Sequence, residues 1–237
     1  HTVSPQALAG GGGRPRPGEI SLASGGILFL DELPEMGREA LETLRQPLEE
    51  RRVTITRLQG AVTYPANFQL VAAMNPCPCG HFPDRSRCSC TPAQIRKYLG
   101  RISGPLLDRI DICVEAAPVS YDEIRVNKGG ESSASIRSRV ERARKLQARR
   151  FRGLGIRCNA EMTGAMIRRF CVLDTESERL LEEVYQKKGM SARTYDRILK
   201  VARTIADLEN EERIRCVHLY EALSFVSAKE QFWGRQE

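Results

Sequence analysis

The stretch that most constrains the fold is residues 25–32, Gly-Gly-Ile-Leu-Phe-Leu-Asp-Glu, in which four apolar residues follow two glycines and precede two acids. A short uninterrupted apolar run predicts a strand buried on both faces of a parallel sheet. Open α/β sheets bind their ligands at the carboxyl ends of such strands. Because a buried carboxylate is costly unless it is paired, Asp31 and Glu32 indicate a cation, a water to be activated, or both. An ordinary core strand leading into an acidic turn is the alternative.

The octet has the form of a Walker B element of a P-loop ATPase. In that role Asp31 would hold the water shell of Mg²⁺, and Glu32 would orient the water that attacks the γ-phosphate. The matching Walker A pattern, Gly-x-x-x-x-Gly-Lys-Ser/Thr, does not occur in the sequence. The glycine run 10–13 does not provide it, since Arg14 and Pro15 follow where Lys and Ser or Thr would be needed. The chain also begins at His1 rather than at a methionine. We therefore expect a piece of a longer protein whose phosphate-binding half lies upstream, and no ATPase activity from this piece alone.

Apolar periodicity divides the chain into an α/β segment, residues 1–120, and an all-helical segment, residues 121–237. The first is predicted to contain strands at 27–30, 68–74 and 110–115, a helix at 38–50, and a β-hairpin between 53 and 64. The second is predicted to contain helices at 134–151, 160–170, 174–188, 191–209 and 216–228. A polar Gly/Ser stretch at 128–133 suits a linker between them.

Composition sets broad limits on the class of protein. With 41% hydrophobic residues, 237 residues suffice for real cores, and no apolar stretch approaches the ~20 residues of a membrane span. The net charge of +7 weakly favours a polyanionic partner such as nucleic acid. Four of the eight cysteines cluster between 77 and 90, whereas the others are scattered. This usage is typical of a reduced, cytoplasmic protein with one metal site.

Three polar side chains beyond the acidic pair are candidates for the same site. Asn75 follows the second predicted strand, where an amide can hold a water or a phosphate oxygen, or can simply mark a turn. Arg109 precedes the third predicted strand and can reach the γ-phosphate of a neighbouring subunit, or form a salt bridge with Asp108 or Asp111. Arg193 begins a helix and can reach the same phosphate, or serve as an ordinary first-turn residue.

The clustered cysteines form two Cys-x-Cys pairs separated by eight residues, a spacing that can close a tetrahedral thiolate site. The loop between the pairs has little to pack, so a metal would replace a missing core. Structural Zn²⁺ is the favoured interpretation, and reduced free thiols or disulfides are the alternatives. Because four thiolates leave no open position, metal catalysis is not expected. The residues are Cys77, Cys79, Cys88 and Cys90.

Two basic segments are candidate DNA contacts. The predicted hairpin and the Gly/Pro segment 10–18 carry arginines that can bind phosphates without reading sequence. A solvated hairpin is the alternative. The candidate residues are Arg14, Arg16, Arg51, Arg52 and Arg57.

The order of these motifs resembles the YifB/ComM family of magnesium-chelatase-related AAA+ ATPases, and the similarity extends over nearly the whole chain. Its most specific part is Asn-Pro-Cys-Pro-Cys-Gly at 75–80. The resemblance implies an α/β fold, a partial AAA+ P-loop core with a hairpin insertion, followed by an all-α lid domain. It implies Asp31 and Glu32 as Walker B, Asn75 as sensor 1, Arg109 as arginine finger and Arg193 as sensor 2.

The resemblance also implies ATP and Mg²⁺ as cofactors and a homo-oligomer, namely a hexameric ring. Family members include a helicase that drives branch migration of DNA in natural transformation and recombination, so DNA is the expected substrate. A magnesium chelatase-type subunit and an enhancer-binding transcription activator are enzymatic alternatives. A zinc-containing DNA-binding or scaffold module that never hydrolyses ATP is the non-enzymatic alternative.

Overall fold

The computed structural model describes residues 3–58, 60–117, 119, 121, 125 and 130–233, without the side chains of 227–232. It contains two compact units, one formed by His1–Ile110 with Gln231–Glu237 and the other by Asp111–Glu230. The predicted boundary at 120 and the first two residues of the predicted linker lie outside the described residues.

The described strands all belong to the first unit and form three two-stranded sheets. Two sheets are antiparallel hairpins, β1–β2 and β4–β5, and the third is the parallel pair β3–β6. The predicted hairpin is therefore confirmed, although Gln59 in its turn lies outside the described residues. The strands are β1 (Gly10–Gly11), β2 (Arg16–Pro17), β3 (Ile27–Leu30), β4 (Arg52–Arg57), β5 (Gly60–Pro65) and β6 (Gln69–Ala72).

The parallel pair has one buried face. Its register runs from Ile27 opposite Gln69 to Leu30 opposite Ala72. Leu28 and Leu30 are buried, whereas Ile27 and Phe29 are 63% and 59% exposed. The prediction of a strand buried on both faces is therefore wrong for this chain, because only one face of the pair is covered by other described residues.

Residues 110–115 are all described, and none of them is assigned to a strand. Ile112 and Val114 are 51% and 70% exposed. An apolar run becomes a strand only where a neighbouring backbone provides its hydrogen-bond ladder, and the β3–β6 sheet of the described residues has just two strands. The prediction of a third strand here is wrong.

Helices of the first unit cover the buried face of β3. Leu41 and Leu44 pack in the same core as Leu28 and Leu30. The helix predicted at 38–50 is present as two helices because Pro47 has no N–H to donate to the carbonyl four residues earlier. The helices are α1 (Pro5–Ala9), α2 (Glu19–Leu22), α3 (Arg38–Glu42), α4 (Arg45–Glu50), α5 (Pro92–Leu99) and α6 (Gly104–Leu107).

The second unit is helical, as predicted, with its own apolar core. None of the helices in the described part of the chain combines the length and the apolar character needed to cross a bilayer. The helices are α7 (Ser133–Arg150), α8 (Gly164–Phe170), α9 (Thr175–Lys188), α10 (Ala192–Leu208) and α11 (Cys216–Trp233), of which the last extends into the residues assigned to the first unit.

A buried ionic cluster joins α7 to α10 in the second unit. The Asp207 carboxylate accepts hydrogen bonds from Arg150 at 2.7 and 2.5 Å, from Arg203 at 3.2 Å and from the amide of Asn159 at 2.8 Å. Arg203 and Asp207 are each 1% exposed. Burial is the main cause that lowers the pKa of Arg203, and Asp207 opposes this effect.

Candidate functional site

The acidic pair and Asn75 follow the ends of two neighbouring strands. Leu30, the last residue of β3, lies opposite Ala72, the last residue of β6, and both strands run in the same direction. Asp31 and Glu32 come directly after β3, and Asn75 comes three residues after Ala72. The structure therefore brings these three predicted site residues to one edge of the sheet.

The acidic pair occupies a bulge. The N–H of Ala73 donates to the carbonyl of Leu30 at 2.9 Å, and the carbonyl of Ala73 accepts from the N–H of Leu33 at 3.1 Å. Asp31 and Glu32 therefore lie opposite a single residue, Ala73, which follows β6. Two residues opposite one is the arrangement of a β-bulge. Glu32 has a left-handed backbone with φ 51°, a conformation that non-glycine residues rarely adopt.

Both acids are accessible in this structure. Asp31 is exposed and Glu32 is half-buried, so the expectation that burial makes them costly is wrong for these residues. The N–H of Glu32 donates to Oδ1 of Asp31 at 2.8 Å, which fixes one carboxylate oxygen and leaves the other directed away from this bond. Carboxylate oxygens are among the ligands that Mg²⁺ and its bound waters prefer.

A residue that the sequence did not indicate supports this bulge. Arg101 lies just after α5, and its Nη1 donates to the carbonyl of Pro34 at 3.0 Å and to Glu35 at 2.7 Å. Pro34 and Glu35 belong to the single turn of 3₁₀ helix, Leu33–Glu35, that follows Glu32. No local pattern could have identified this contact, because Glu35 and Pro34 lie 66 and 67 residues before Arg101 in the chain.

Arg109 follows α6 and is held by its own chain. Its guanidinium donates to the carbonyl of Pro105 at 2.7 Å and forms an ion pair with Glu49. The side chain is 17% exposed and lines a cavity of about 270 Å³ together with residues of α3 and α4. Arg109 is therefore mostly covered by its own chain and lies at the edge of this cavity.

Arg193 belongs to the second unit, in the first turn of α10, and it is exposed. The side chain of Ser191 caps this helix by accepting the N–H of Thr194 at 3.2 Å. Arg193 is thus held on a well-capped helix start, and its role stays a prediction.

The four clustered cysteines, termed the cysteine cluster below, bring their sulfur atoms together. All four Sγ atoms lie within 4.8 Å of one another. Cys77 is 3.4 Å from Cys79 and 3.8 Å from Cys88, and Cys79 is 3.6 Å from Cys88. A zinc ion with Zn–S bonds of about 2.3 Å separates its thiolates by about 3.8 Å, so the four donors fit a tetrahedral thiolate site. All four are free cysteines in the structure.

Hydrogen bonding lowers the pKa of one of these thiols, and burial raises the pKa of another. The N–H of His81 is the main cause that lowers the pKa of Cys79 to about 5. Burial is the main cause that raises the pKa of Cys90 to about 12. Opposite shifts of this kind arise where neighbouring thiols cannot all ionise together without a cation. The N–H of Phe82 also donates to Cys77 Sγ at 3.4 Å, as backbone amides do around bound thiolates.

The candidate DNA contacts fall into two groups. The β1–β2 and β4–β5 hairpins adjoin, since the Tyr64 hydroxyl donates to the Pro15 carbonyl at 2.9 Å and Arg57 Nη2 is 3.3 Å from where a Cβ of Gly11 would lie. Arg57 is therefore beside the segment that carries Arg14 and Arg16.

The other two arginines lie at the opposite end of β4. Arg52 is five residues from Arg57, about 17 Å along an extended strand. It forms an ion pair with Glu50 at 3.1 Å, and Arg51 ends α4 with a left-handed backbone. All five predicted arginines are exposed.

Comparison with known proteins identifies the family. A family model described as magnesium chelatase, subunit ChlI, matches residues 1–124, and a second, described as the C-terminal part of the same subunit, matches residues 130–226. The chain belongs to the magnesium chelatase family. The fold expected from the resemblance, a partial AAA+ core followed by a helical domain, agrees with this membership and with the observed elements.

Within this family, the chain is similar to the proteins YifB and ComM, as the sequence motifs predicted. The chain is 46% identical over 227 residues to YifB of Salmonella typhimurium and to the competence protein ComM of Haemophilus influenzae, covering 95% of this chain and 44% and 43% of those proteins. It is 42% identical over 226 residues to protein Mb2921c of Mycobacterium bovis, covering 95% of this chain and 44% of that protein. The chain thus spans less than half the length of these relatives.

Proposed function

We propose that this chain is part of an ATP-hydrolysing AAA+ motor whose nucleotide site includes the acidic pair and Asn75. The observation that carries the proposal is the parallel pairing of β3 with β6, which puts two carboxylates and an amide at one sheet edge. Mg²⁺ would supply charge neutralisation of the phosphates when bound. Asp31 would hold its water shell, Glu32 would orient the attacking water as a base, and Asn75 would hold the same water or a phosphate oxygen.

The proposal extends to a homo-hexameric ring in which Arg109 acts on the nucleotide of the adjacent subunit. A guanidinium stabilises the charge that develops on the transferring phosphoryl group. The position of Arg109 at the edge of a cavity supports this role, and Arg193 is proposed to contact the same nucleotide from the helical domain. Because the sequence contains no Walker A loop, we do not expect this chain by itself to turn over ATP.

DNA is the proposed substrate of the motor, as a helicase or branch-migration factor in natural transformation and recombination. The name of the competence protein ComM, a 46% identical relative, supports this assignment. The net charge of +7 and the exposed arginines of the two adjoining hairpins support it as well. A reducing, cytoplasmic location is also proposed, because four of the eight cysteines cluster at one candidate metal site while the others are scattered.

The test uses the full-length protein that contains this chain. ATP turnover is measured with and without branched DNA for the parent, for Glu32→Gln, and for Glu39→Gln, an exposed glutamate on α3 that serves as the matched control. Loss of the base should lower kcat by about 10²-fold or more, and the control should retain parent activity. Equal turnover in Glu32→Gln and the parent would contradict the assignment.

A magnesium chelatase-type role is the second candidate, and the description of the matching family models favours it. The two roles differ in what stimulates the ATPase. Stimulation by branched DNA supports the DNA motor, whereas turnover that is indifferent to DNA supports the chelatase-type role. If the full-length protein binds DNA and zinc but hydrolyses no ATP, the non-enzymatic module is correct instead.

Structural zinc at the cysteine cluster is the last part of the proposal. The sulfur separations support a closed tetrahedral site, and four thiolates leave no position for a substrate. The purified full-length protein should contain one zinc per chain, and Cys77→Ser should lose it. Cys158→Ser changes a cysteine outside the cluster and should keep the metal. A parent protein that contains no zinc after expression with added zinc would contradict the site.

A further inference from the structure

The cysteine cluster begins two residues after Asn75. The strand β6 ends at Ala72, and Met74 packs against both the core beneath the sheet and a smaller core that contains Cys77. Cys77 is completely buried. The segment that carries Asn75 is therefore anchored on one side by the sheet and on the other by a ligand of the proposed metal site.

The first Cys-x-Cys pair folds back onto the Asn75 side chain. The N–H of Gly80 donates to the carbonyl of Cys77 at 3.0 Å and closes a tight turn. At this turn a Cβ on Gly80 would lie 3.9 Å from both Cγ and Oδ1 of Asn75. Gly80 has φ +81°, which a residue with a side chain adopts only with strain. The turn that follows the first Cys-x-Cys pair therefore lies beside the Asn75 amide.

The other end of the cluster leads to the acidic pair. Cys90 precedes Thr91, which caps α5 in a reciprocal capping box with Gln94. Three residues of α5 complete the small core around Cys77, namely Ile95, Tyr98 and Leu99. Immediately after this helix, Arg101 binds the turn that follows Glu32. The loop and α5 therefore join the amide to the acidic pair along a route separate from the sheet.

We infer that a metal ion held by the four thiolates positions Asn75 against the acidic pair by closing the loop between β6 and α5. This inference rests on the proposed ATPase function and deepens it. One ion bound by all four thiolates would connect the two ends of this loop. Cys88 and Cys90 would then be held next to Cys77 and to the turn beside Asn75. Asn75 is the residue that acts on the reacting groups, and the cysteines are positioning residues.

The experiment uses the full-length protein and four variants. Cys90→Ser removes the ligand farthest in sequence from Asn75, and Cys158→Ser is its matched control. Asn75→Ala removes the amide, and the double variant combines Asn75→Ala with Cys90→Ser. Zinc content, the visible absorption of bound Co²⁺ as a probe of tetrahedral thiolate ligation, the thermal midpoint, and kcat and KM for ATP are measured for each.

Cys90→Ser should lose the zinc and the tetrahedral Co²⁺ spectrum, and its kcat should fall about tenfold with KM changed less than about twofold. In the Asn75→Ala background the same substitution should change kcat by less than about twofold, because the metal acts through the amide. Equal losses in both backgrounds, or an unchanged kcat in zinc-free Cys90→Ser, would overturn the inference.

Gly80→Ala keeps the coupling testable if loss of the metal unfolds the protein. It retains all four cysteines but places a side chain on a left-handed backbone beside the Asn75 amide, so zinc should stay bound while kcat falls. Parent kcat in Gly80→Ala would refute the positioning role. The proposed function fails separately: if Asn75→Ala and Glu32→Gln both keep parent turnover, the ATPase assignment is wrong, whereas if both lose turnover and zinc-free Cys90→Ser does not, only the coupling is wrong.

Discussion

Asp207→Asn should destabilise the helical unit more than any surface substitution. The Asp207 carboxylate accepts three hydrogen bonds from two guanidinium groups and one from an amide. Asparagine has nearly the same shape but no charge, and its NH₂ group would face donors. Arg150 and Arg203, whose side chains are 17% and 2% exposed, would then be left without their shared counter-charge.

The expected size follows from this arrangement. Removal of one partner from a buried ion pair costs about 3–5 kcal/mol of unfolding free energy. Arg203 keeps the carbonyls of Glu211 and Glu212 at 2.5 and 2.6 Å, so we take about 4 kcal/mol from the middle of that range. A unit of about 120 residues unfolds with an entropy near 0.25 kcal/mol/K, and the thermal midpoint should therefore fall by about 16 °C.

Thermal and urea unfolding of the chain, followed by the helical circular dichroism signal, would measure this effect. Asp196→Asn makes the same chemical change at a half-buried position of the same helix and should shift stability by less than about 0.5 kcal/mol. Arg150→Gln should have an intermediate effect, because Asp207 keeps its bond to Arg203. If Asp207→Asn and Asp196→Asn unfold at the same temperature, the buried cluster does not contribute as argued.

Three further predictions concern other parts of the chain. The N–H of Ser177 is the main cause that lowers the pKa of Asp174. The stabilisation from this helix cap is therefore complete above the ordinary carboxyl pKa of 3.8 and is lost as the pH falls through the lower pKa of the folded state. Asp174→Asn should accordingly make the urea midpoint less sensitive to acid. Glu49→Gln should raise ATP turnover of the full-length protein about twofold to fivefold by releasing Arg109, and unchanged turnover would exclude that competition. Burial raises the pKa of Cys171 to about 12, so mass spectrometry after neutral iodoacetamide treatment should find it unlabelled, whereas Cys79, whose pKa is lowered to about 5, should be labelled after chelator treatment.

Local patterns in the sequence predicted several elements of the fold. The octet ending at Glu32 predicted β3 and the position of its acids, and the alternation from Val53 predicted the hairpin. The leucines at 41, 44 and 48 predicted a helical face that packs on the core, although Pro47 divides the helix. These signals are local, and each depends only on side-chain periodicity and turn residues.

Features that depend on distant contacts could not be predicted in this way. The half-exposed faces of Ile27 and Phe29 reflect what covers the sheet, and an apolar run does not specify that. Sequence proximity suggested Asp108 and Asp111 as partners of Arg109, but the structure pairs it with Glu49, sixty positions earlier. The buried pair Arg203 and Asp207 resembles an ordinary surface pair four residues apart on a helix, and only the fold encloses it.

Because of the bulge after β3, the number of residues between Leu30 and Leu33 matters as much as the identity of the two acids. Leu28, Leu30 and Leu33 are all buried, at intervals of two and then three residues. Shortening the stretch between Leu30 and Leu33 by one residue would restore regular alternation at the strand's end and keep Leu33 on the buried face, but only one acid would then lie opposite Ala73. Substitutions at Asp31 or Glu32 can therefore be compared with the bulge intact, whereas a deletion there would remove the bulge that presents the two acids together.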